Sequence, residues 1–327
     1  MKFTETIGID VSKPFIDAFI YTTKKHKRFK NSNKGFNEML LWVDKYTEIK
    51  NIERLYAFEH TGLYSLPLSI YLTENDTSFI LIPGLELKRS LGIARGKDDE
   101  IDAKAIALFA YRRREDKLPS KNLLELRRLL SLREKLVKQR AGYKSTNTEI
   151  KAFLTKKEHA LYFKVHSDMI RTLTKQIKLV EKQLLSIIKD DEALKKMYEL
   201  IVGIKSVGTQ TALFMITFTN GFTLFESHRK FASYSGIAPF PYQSGISIKG
   251  KSKVHPFANK KFKSLLSNCA VNAIVNNAEM RIYYQRRIKE GKSKMSTINI
   301  IRNKLLSRIF AVVQRGTPYV DTLAYAS

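Results

Sequence analysis

The chain has 327 residues, 43% of them hydrophobic, with 58 Lys and Arg against 31 Asp and Glu for a formal charge of +27. That length predicts two or three domains, that hydrophobic share allows real cores, and so large a charge implies a polyanionic partner. The single cysteine, Cys269, excludes an intrachain disulfide and a Cys-based zinc site, Met1–Ile7 lacks the apolar run of a signal peptide, and no stretch approaches the roughly 18 apolar residues that span a membrane, so a soluble, cytoplasmic protein is expected.

Residues 1–110 carry 16 basic and 15 acidic side chains and read as α/β. Thr6–Val11 is apolar and β-branched, and Phe15–Thr22 alternates after a Lys13-Pro14 turn. With the more polar His26–Lys30 they predict an antiparallel meander. Gly35–Lys45 has helical spacing through Phe36, Met39, Leu40 and Val43. Leu55–Glu59 is a short strand ending on an acid, and Leu66–Leu72 is helical. Phe79–Ile82 is a strand stopped by Pro83-Gly84, and Asp99–Arg112 is a helix with Ile101, Ala105, Leu108 and Phe109 on one face. The predicted order is βββ-α-β-α-β-α.

Residues 111–190 hold 21 basic and 9 acidic side chains. Ile170, Leu173, Ile177, Val180, Leu184 and Ile187 form an a/d seam on a basic helix, and Leu126, Leu129, Leu132 and Leu136 start a less regular one. The pattern fits an antiparallel hairpin or a dimerising coiled coil.

Residues 191–327 read as mostly helical. Ile201-x2-Ile204-x-Ser206-Val207-Gly208-x3-Ala212 resembles a helix-hairpin-helix, which offers backbone N–H groups to phosphate, although Ser206 stands where a glycine is usual. Phe231–Ser244 reads as a Gly/Pro/aromatic loop before the basic run Lys249–Lys263. Leu265–Asn276 and Ile298–Val313 are apolar-faced helices, and Cys269 lies in the first as a core residue. The span 249–315 holds 16 basic side chains and 2 acidic ones. The predicted domains are 1–115, 116–190 and 191–327.

Against this basic background four carboxylates stand out: Asp10 in Gly8-Ile9-Asp10-Val11-Ser12-Lys13, Glu59 in Phe58-Glu59-His60-Thr61-Gly62, and Asp99 and Asp102 in Lys97-Asp98-Asp99-Glu100-Ile101-Asp102-Ala103. Asp10 and Glu59 end strands that can lie side by side, and Asp99 and Asp102 share a face at a helix start. Gathered carboxylates repel unless cations fill them. Two Mg²⁺ ions roughly 4 Å apart would satisfy the cluster and clamp an in-line displacement at phosphorus. Each acid also has a plainer reading: a helix cap for Asp99 and Asp102, a turn residue for Asp10, a surface pair with His60 for Glu59. Asp98 and Glu100 point off the Asp99/Asp102 face. His60 is a structural histidine or a proton donor.

These motifs resemble the DEDD transposases of bacterial insertion sequences, the one-hundred-and-ten family, kin to pilin-gene invertases. A second stretch carries the resemblance further: Phe231-Ala232-Ser233-Tyr234-Ser235-Gly236-Ile237-Ala238-Pro239, followed by Gln243-Ser244-Gly245. The resemblance implies an RNase H-like (Holliday-junction-resolvase-like) N-terminal domain, a coiled-coil linker and a C-terminal transposase domain. It makes Asp10, Glu59, Asp99 and Asp102 the metal-binding catalytic acids and Ser244 a nucleophile that forms a covalent phosphoserine–DNA intermediate. It further implies a homodimer assembling into a tetramer, donor and target double-stranded DNA as substrates, a structured guide (bridge) RNA, and a nucleoid-associated location. Where the family often shows Gly-Asn and Leu-Arg after the serine, this chain has Ala258-Asn259 and Phe262-Lys263.

From the residues alone Ser244 is an ordinary loop serine that needs activation, with Ser247 and Ser252 as alternatives and His255 the nearest imidazole. Lys249, Lys251, Lys253, Lys260, Lys261 and Lys263 are expected to contact backbone phosphate. Tyr234, Phe240 and Tyr242 either stack on bases or pack under the loop. Three functions compete: an RNA-guided recombinase using the serine, a metal-dependent junction-resolving endonuclease using water, and a non-catalytic nucleic-acid-binding protein.

Overall fold

The computed structural model describes residues 3–47, 53–59, 61–82, 84, 87, 98–115, 118–155, 157–244, 248–253 and 258–320, with the side chains of 240–244 and 248–253 left aside. His60, Lys97, Gly245, Ser247 and His255 therefore lie outside the described residues, as do the side chains of Ser244, Ser252, Lys249, Lys251, Lys253, Phe240 and Tyr242. The chain divides into two compact units, Met1–Pro119 and Ser120–Ser327.

In the first unit β1 (Glu5–Val11), β2 (Phe15–Ile20) and β3 (His26–Lys30) form an antiparallel meander. After α1 (Asn33–Tyr46), β4 (Arg54–Glu59) lies parallel to β1, and β5 (Phe79–Ile82), reached through α2 (Leu66–Glu74), lies parallel to β4. The sheet order is β3-β2-β1-β4-β5, and α3 (Asp99–Arg112) follows. This mixed five-stranded sheet, in the predicted βββ-α-β-α-β-α order, is compatible with an RNase H-like domain.

Central strands covered on both faces must be apolar throughout. Ile7, Ile9, Leu55, Tyr56, Ala57 and Phe58 are all fully buried. The edge strand β3 keeps only Phe29 inside, which explains its polar sequence. Ser32 caps α1 by accepting from the Gly35 amide, and the helix buries Phe36, Met39, Trp42 and Val43.

The second unit begins with α4 (Lys121–Ile150) and α5 (Ala160–Asp190), two long helices that pack antiparallel. Arg133 donates to Glu181 at 2.7 Å and Arg140 to Thr174 at 3.3 Å, fixing that direction. The described residues thus form the antiparallel hairpin within one chain. On α5, Leu173, Ile177, Val180 and Leu184 are buried as the spacing predicts, but Ile188 rather than Ile187 completes the seam. A straight helix of 3.6 residues per turn drifts off a 3.5-residue pattern, so the next step is four. Of the leucines that start the less regular helix, Leu132 is 46% exposed. The buried face of α4 runs through Leu123, Leu126 and Leu130, and Leu132 lies about 200° around the helix from Leu130.

The rest of the unit comprises α6 (Glu192–Val202), α7 (Thr209–Phe218), α8 (His228–Tyr234), the hairpin of β6 (Phe240–Ser244) and β7 (Ile248–Lys253), α9 (Lys260–Asn276), α10 (Ala278–Lys289) and α11 (Lys294–Arg315). The stretch 231–244 is thus not one loop. Ser227 caps α8 through the Lys230 amide and Phe231 is fully buried, so the chain stays helical to Tyr234; Pro239 separates it from β6. Phe214, Phe231, Phe262 and Phe310 anchor this core, which extends to Leu126 and Leu184 of the long helices. No helix among the described residues is long and apolar enough to cross a membrane.

Candidate functional site

Three residues of β1 face α3. Thr6 donates through Oγ1 to the Ala107 carbonyl at 3.0 Å. A Cβ on Gly8 would stand 2.1 Å from the Ala103 carbonyl oxygen and 2.2 Å from the Ala107 amide nitrogen, so only glycine lets the helix backbone settle there. Asp10 is the next residue on that face. Two strand residues advance about 6.7 Å and four helical residues 6 Å, so strand and helix keep step in opposite directions. Asp10 consequently meets the first turn of α3, where Asp99 and Asp102 sit. The Asp10 carboxyl is pushed up to about 6, first by burial, then by the negative charges of Asp102 and Asp99 and last by Asp17; the hydrogen bond to the Val11 backbone partly offsets this.

Asp98, not Asp99 or Asp102, caps α3, accepting from the Glu100 amide at 3.3 Å. That frees the other two acids from the helix-capping reading. Glu59 ends β4 one step beyond the Ile9–Phe58 pair, which sets it beside Asp10 along the sheet edge. Its carboxylate leans on Gly84, where a Cβ would stand 1.9 Å from Oε1. Among the described residues no three His, Cys, Asp or Glu side chains stand close enough to hold a metal ion as they are. Asp99 is held instead by a basic residue: Arg28 Nη2 donates to Asp99 Oδ2 at 2.5 Å. The donor set itself, hard carboxylate oxygens, fits a divalent cation.

Sequence reasoning passed over a second row of charge. Asp10 pairs with Asp17 on β2, and Asp17 with Arg28 on β3. Asp17 is buried, yet it accepts from Arg28 Nε at 3.1 and 3.0 Å and contacts His26 Nε2 at 2.9 Å. His26 Nδ1 is also 3.6 Å from Glu100. The available signal was the lone acid in Phe15-Ile16-Asp17-Ala18-Phe19-Ile20, since an acid facing inward must find cations.

In the second unit Ser244 is the last residue of β6 and pairs with Ile248 of β7. Of the predicted phosphate-contacting lysines, Lys260 is exposed at the start of α9. Lys261 pairs with Glu134 at 2.6 Å and lies over the Phe214 ring, tying α9 to α4. Tyr234 takes the packing alternative, against Phe225, Phe231 and Phe262. Ser206, in the helix-hairpin-helix-like turn, has φ of 76°, the backbone a glycine would supply, and Gly208 leaves the start of α7 without a side-chain cap.

Comparison with known proteins gives two family matches. Residues 7–159 match a family of DEDD-type IS110 proteins described as "Transposase", and residues 198–285 match "Transposase IS116/IS110/IS902 family". Over 327 aligned residues the chain is 28% identical to the pilin gene-inverting proteins of Moraxella lacunata and Moraxella bovis, covering 96% of this chain and 97% of theirs. It is 27% identical over 120 residues to an uncharacterized 43.6 kDa protein of insertion element IS110 from Streptomyces coelicolor, covering 37% of this chain and 29% of that protein.

Proposed function

The chain belongs to the IS116/IS110/IS902 family of DEDD transposases, and from that premise we propose that it cuts and rejoins DNA through Ser244 with the help of the four acids. The observation that carries this reading is the seating of α3 on Gly8, which brings Asp99 and Asp102 to Asp10 and raises the Asp10 carboxyl to about 6. A protein gains nothing in stability from such a cluster. It is the preparation expected of a cation site.

Asp10, Glu59, Asp99 and Asp102 would hold two Mg²⁺ ions. Bound there, the cations would supply Lewis acidity at the scissile phosphate and favour the deprotonated serine. Ser244 Oγ forms a bond to phosphorus as a deoxyribose oxygen leaves, and the serine proton ends on that oxygen. The resulting phosphoserine keeps the energy of the phosphodiester, so a second DNA end can reverse the step and complete an exchange. Lys249, Lys251, Lys253, Lys260, Lys261 and Lys263 would hold backbone phosphate. In this reading a structured guide RNA selects donor and target DNA, and a tetramer of paired dimers brings acids and serine together. The strongly basic spans 111–190 and 249–315 supply the charge such nucleic acids require.

The test incubates wild type, Ser244→Ala and Asp10→Asn with Mg²⁺, element-end DNA and RNA from the flanking non-coding region, followed on a denaturing gel. A covalent adduct with wild type alone supports serine-linked strand transfer at the acidic site. Cleavage without adduct that persists in Ser244→Ala would make the protein a water-using endonuclease instead.

A further inference from the structure

Beside the four acids stands a guanidinium whose anchoring exceeds what charge balance requires. Arg28, Asp17 and Asp10 form one row across three strands, in the registers Asp10–Asp17 and Asp17–Arg28. The Asp17 side chain is only 4% exposed, and both its oxygens accept from Arg28 Nε. Holding Arg28 by Nε fixes the plane of the fork and leaves its two Nη groups out of the bond to Asp17. Nη2 reaches Asp99, while Nη1 makes no hydrogen bond among the described residues, and half of the side chain is exposed. An exposed ion pair contributes little to stability, so Asp99 is a weak hold on Nη2. The strong hold is at the other end, in the buried carboxylate.

We propose that Arg28 is a phosphate clamp of the acidic site: its Nη edge takes a non-bridging oxygen of the DNA backbone next to the bond being cut, while Asp17 and His26 act as positioning residues behind it. The inference rests on DNA being cut at the acidic site. An arginine suits the task because its planar fork matches phosphate geometry and it stays charged at every working pH. Its place at the rim answers a need of the site. Carboxylates repel a polyanion, and a fixed cation at the edge lets the backbone approach before the acids are engaged. Asp99, in contact with Arg28 here, would exchange that contact for a bound cation as phosphate takes over Nη2. The exchange conserves the charge pairing of both groups.

The experiment uses the full chain as wild type, Arg28→Gln, Arg28→Lys and Asp10→Asn. DNA affinity is measured against salt with Ca²⁺ in place of Mg²⁺, and cleavage with Mg²⁺. Gln keeps a hydrogen bond to Asp17 without the charge. We expect Arg28→Gln to lower the slope of log affinity against log salt by about 1 and to weaken binding at low salt by about tenfold. Arg28→Lys keeps the slope but loses affinity, because the fork is gone; should Arg28→Gln fail to fold by circular dichroism, this variant decides. Unchanged affinity and slope in a folded Arg28→Gln, or in Arg28→Lys unchanged affinity and cleavage, would overturn the clamp and leave Arg28 a counter-ion to the acids. Asp10→Asn separates the two levels of argument: if it is inactive while the Arg28 variants behave as wild type, the clamp alone fails. If Asp10→Asn cleaves like wild type, the acidic-site reading fails and the clamp with it.

Discussion

Gly8 and Ala103 meet backbone to backbone: a Cβ on Gly8 would stand 2.1 Å from the Ala103 carbonyl oxygen. Asp10 lies just after Gly8 on β1 and Asp102 just before Ala103 on α3, so the contact sets the spacing of the acids. Gly8→Ala must push α3 away from β1. The expected cost is about 1–3 kcal/mol in a denaturant melt, as for other overpacked sites. Strand transfer should fall on the order of 100-fold, since a shift near 1 Å suffices to misplace catalytic groups. A Gly8→Ala protein that melts and reacts like wild type would show that the helix is not seated here.

Asp10 makes the stability of the metal-free protein depend on pH. Its carboxyl is raised from 3.8 to about 6 in the folded chain, so the folded state binds the proton more tightly than the unfolded state does. The contribution is full below 3.8 and is lost as pH rises through about 6. Asp10→Asn should therefore be the more stable protein at pH 8, by on the order of 1 kcal/mol once solvent screening of a partly exposed group is allowed for. The difference should vanish near pH 4. Added Mg²⁺ should raise the melting temperature of wild type more than that of Asp10→Asn. An Asp10→Asn protein no more stable than wild type at pH 8 would contradict the crowding of charge at α3.

Ser206 offers a test in the second unit. Its φ of 76° is strained for any residue with a Cβ, and its Oγ is buried without a partner among the described residues. Ser206→Gly should relieve both and stabilise the chain by roughly 1 kcal/mol. A loss of stability instead would mean that the hydroxyl is satisfied in solution.

Cys269 should be inert while the chain is folded. It is 5% exposed, lies 3.2 Å from Thr211 Oγ1, and burial pushes its thiol up. Alkylation by iodoacetamide at pH 8 should therefore require denaturant. Stoichiometric labelling of the native protein would refute the core position.

The element order of the first unit was legible from apolar runs and turn residues: β1 is apolar along its length, and Phe36, Met39 and Val43 lie on one face of α1, but the face expected of α3 was wrong, since Ala103, Ile106, Ala107 and Ala110 are buried with Phe109 while Ile101 is 41% exposed. The convergence of Asp10 with Asp99 and Asp102 was legible only as an expectation, for nothing in the spacing of β1 and α3 says that they touch. Gly8 holds that information, and a glycine before an acid is too common to announce it. The row Asp10–Asp17–Arg28 was hidden for a related reason. Strand register is a property of pairs, whereas the charges lie on three separate strands. In the helical unit the seam of α5 held to Leu184, and its last step falls on Ile188, with Ile187 only partly buried against the core, because a strict 3.5-residue pattern drifts on a straight helix.

The parallel pairing of β1 with β4 has a consequence in time. Glu5 cannot meet Arg54, nor Thr6 meet Ala107, until the intervening chain exists, so the first unit closes through contacts distant in sequence, which form slowly. The α4–α5 hairpin joins neighbours and zips quickly. Synthesis, however, runs in the opposite order of difficulty. Between Arg112, which ends the helix seated on the sheet, and Asp190, which ends the hairpin, roughly 80 residues are made, which takes about 4–16 s at ordinary rates of translation. The slow-folding unit thus receives the head start, and its sheet can begin to close before the hairpin that follows is complete.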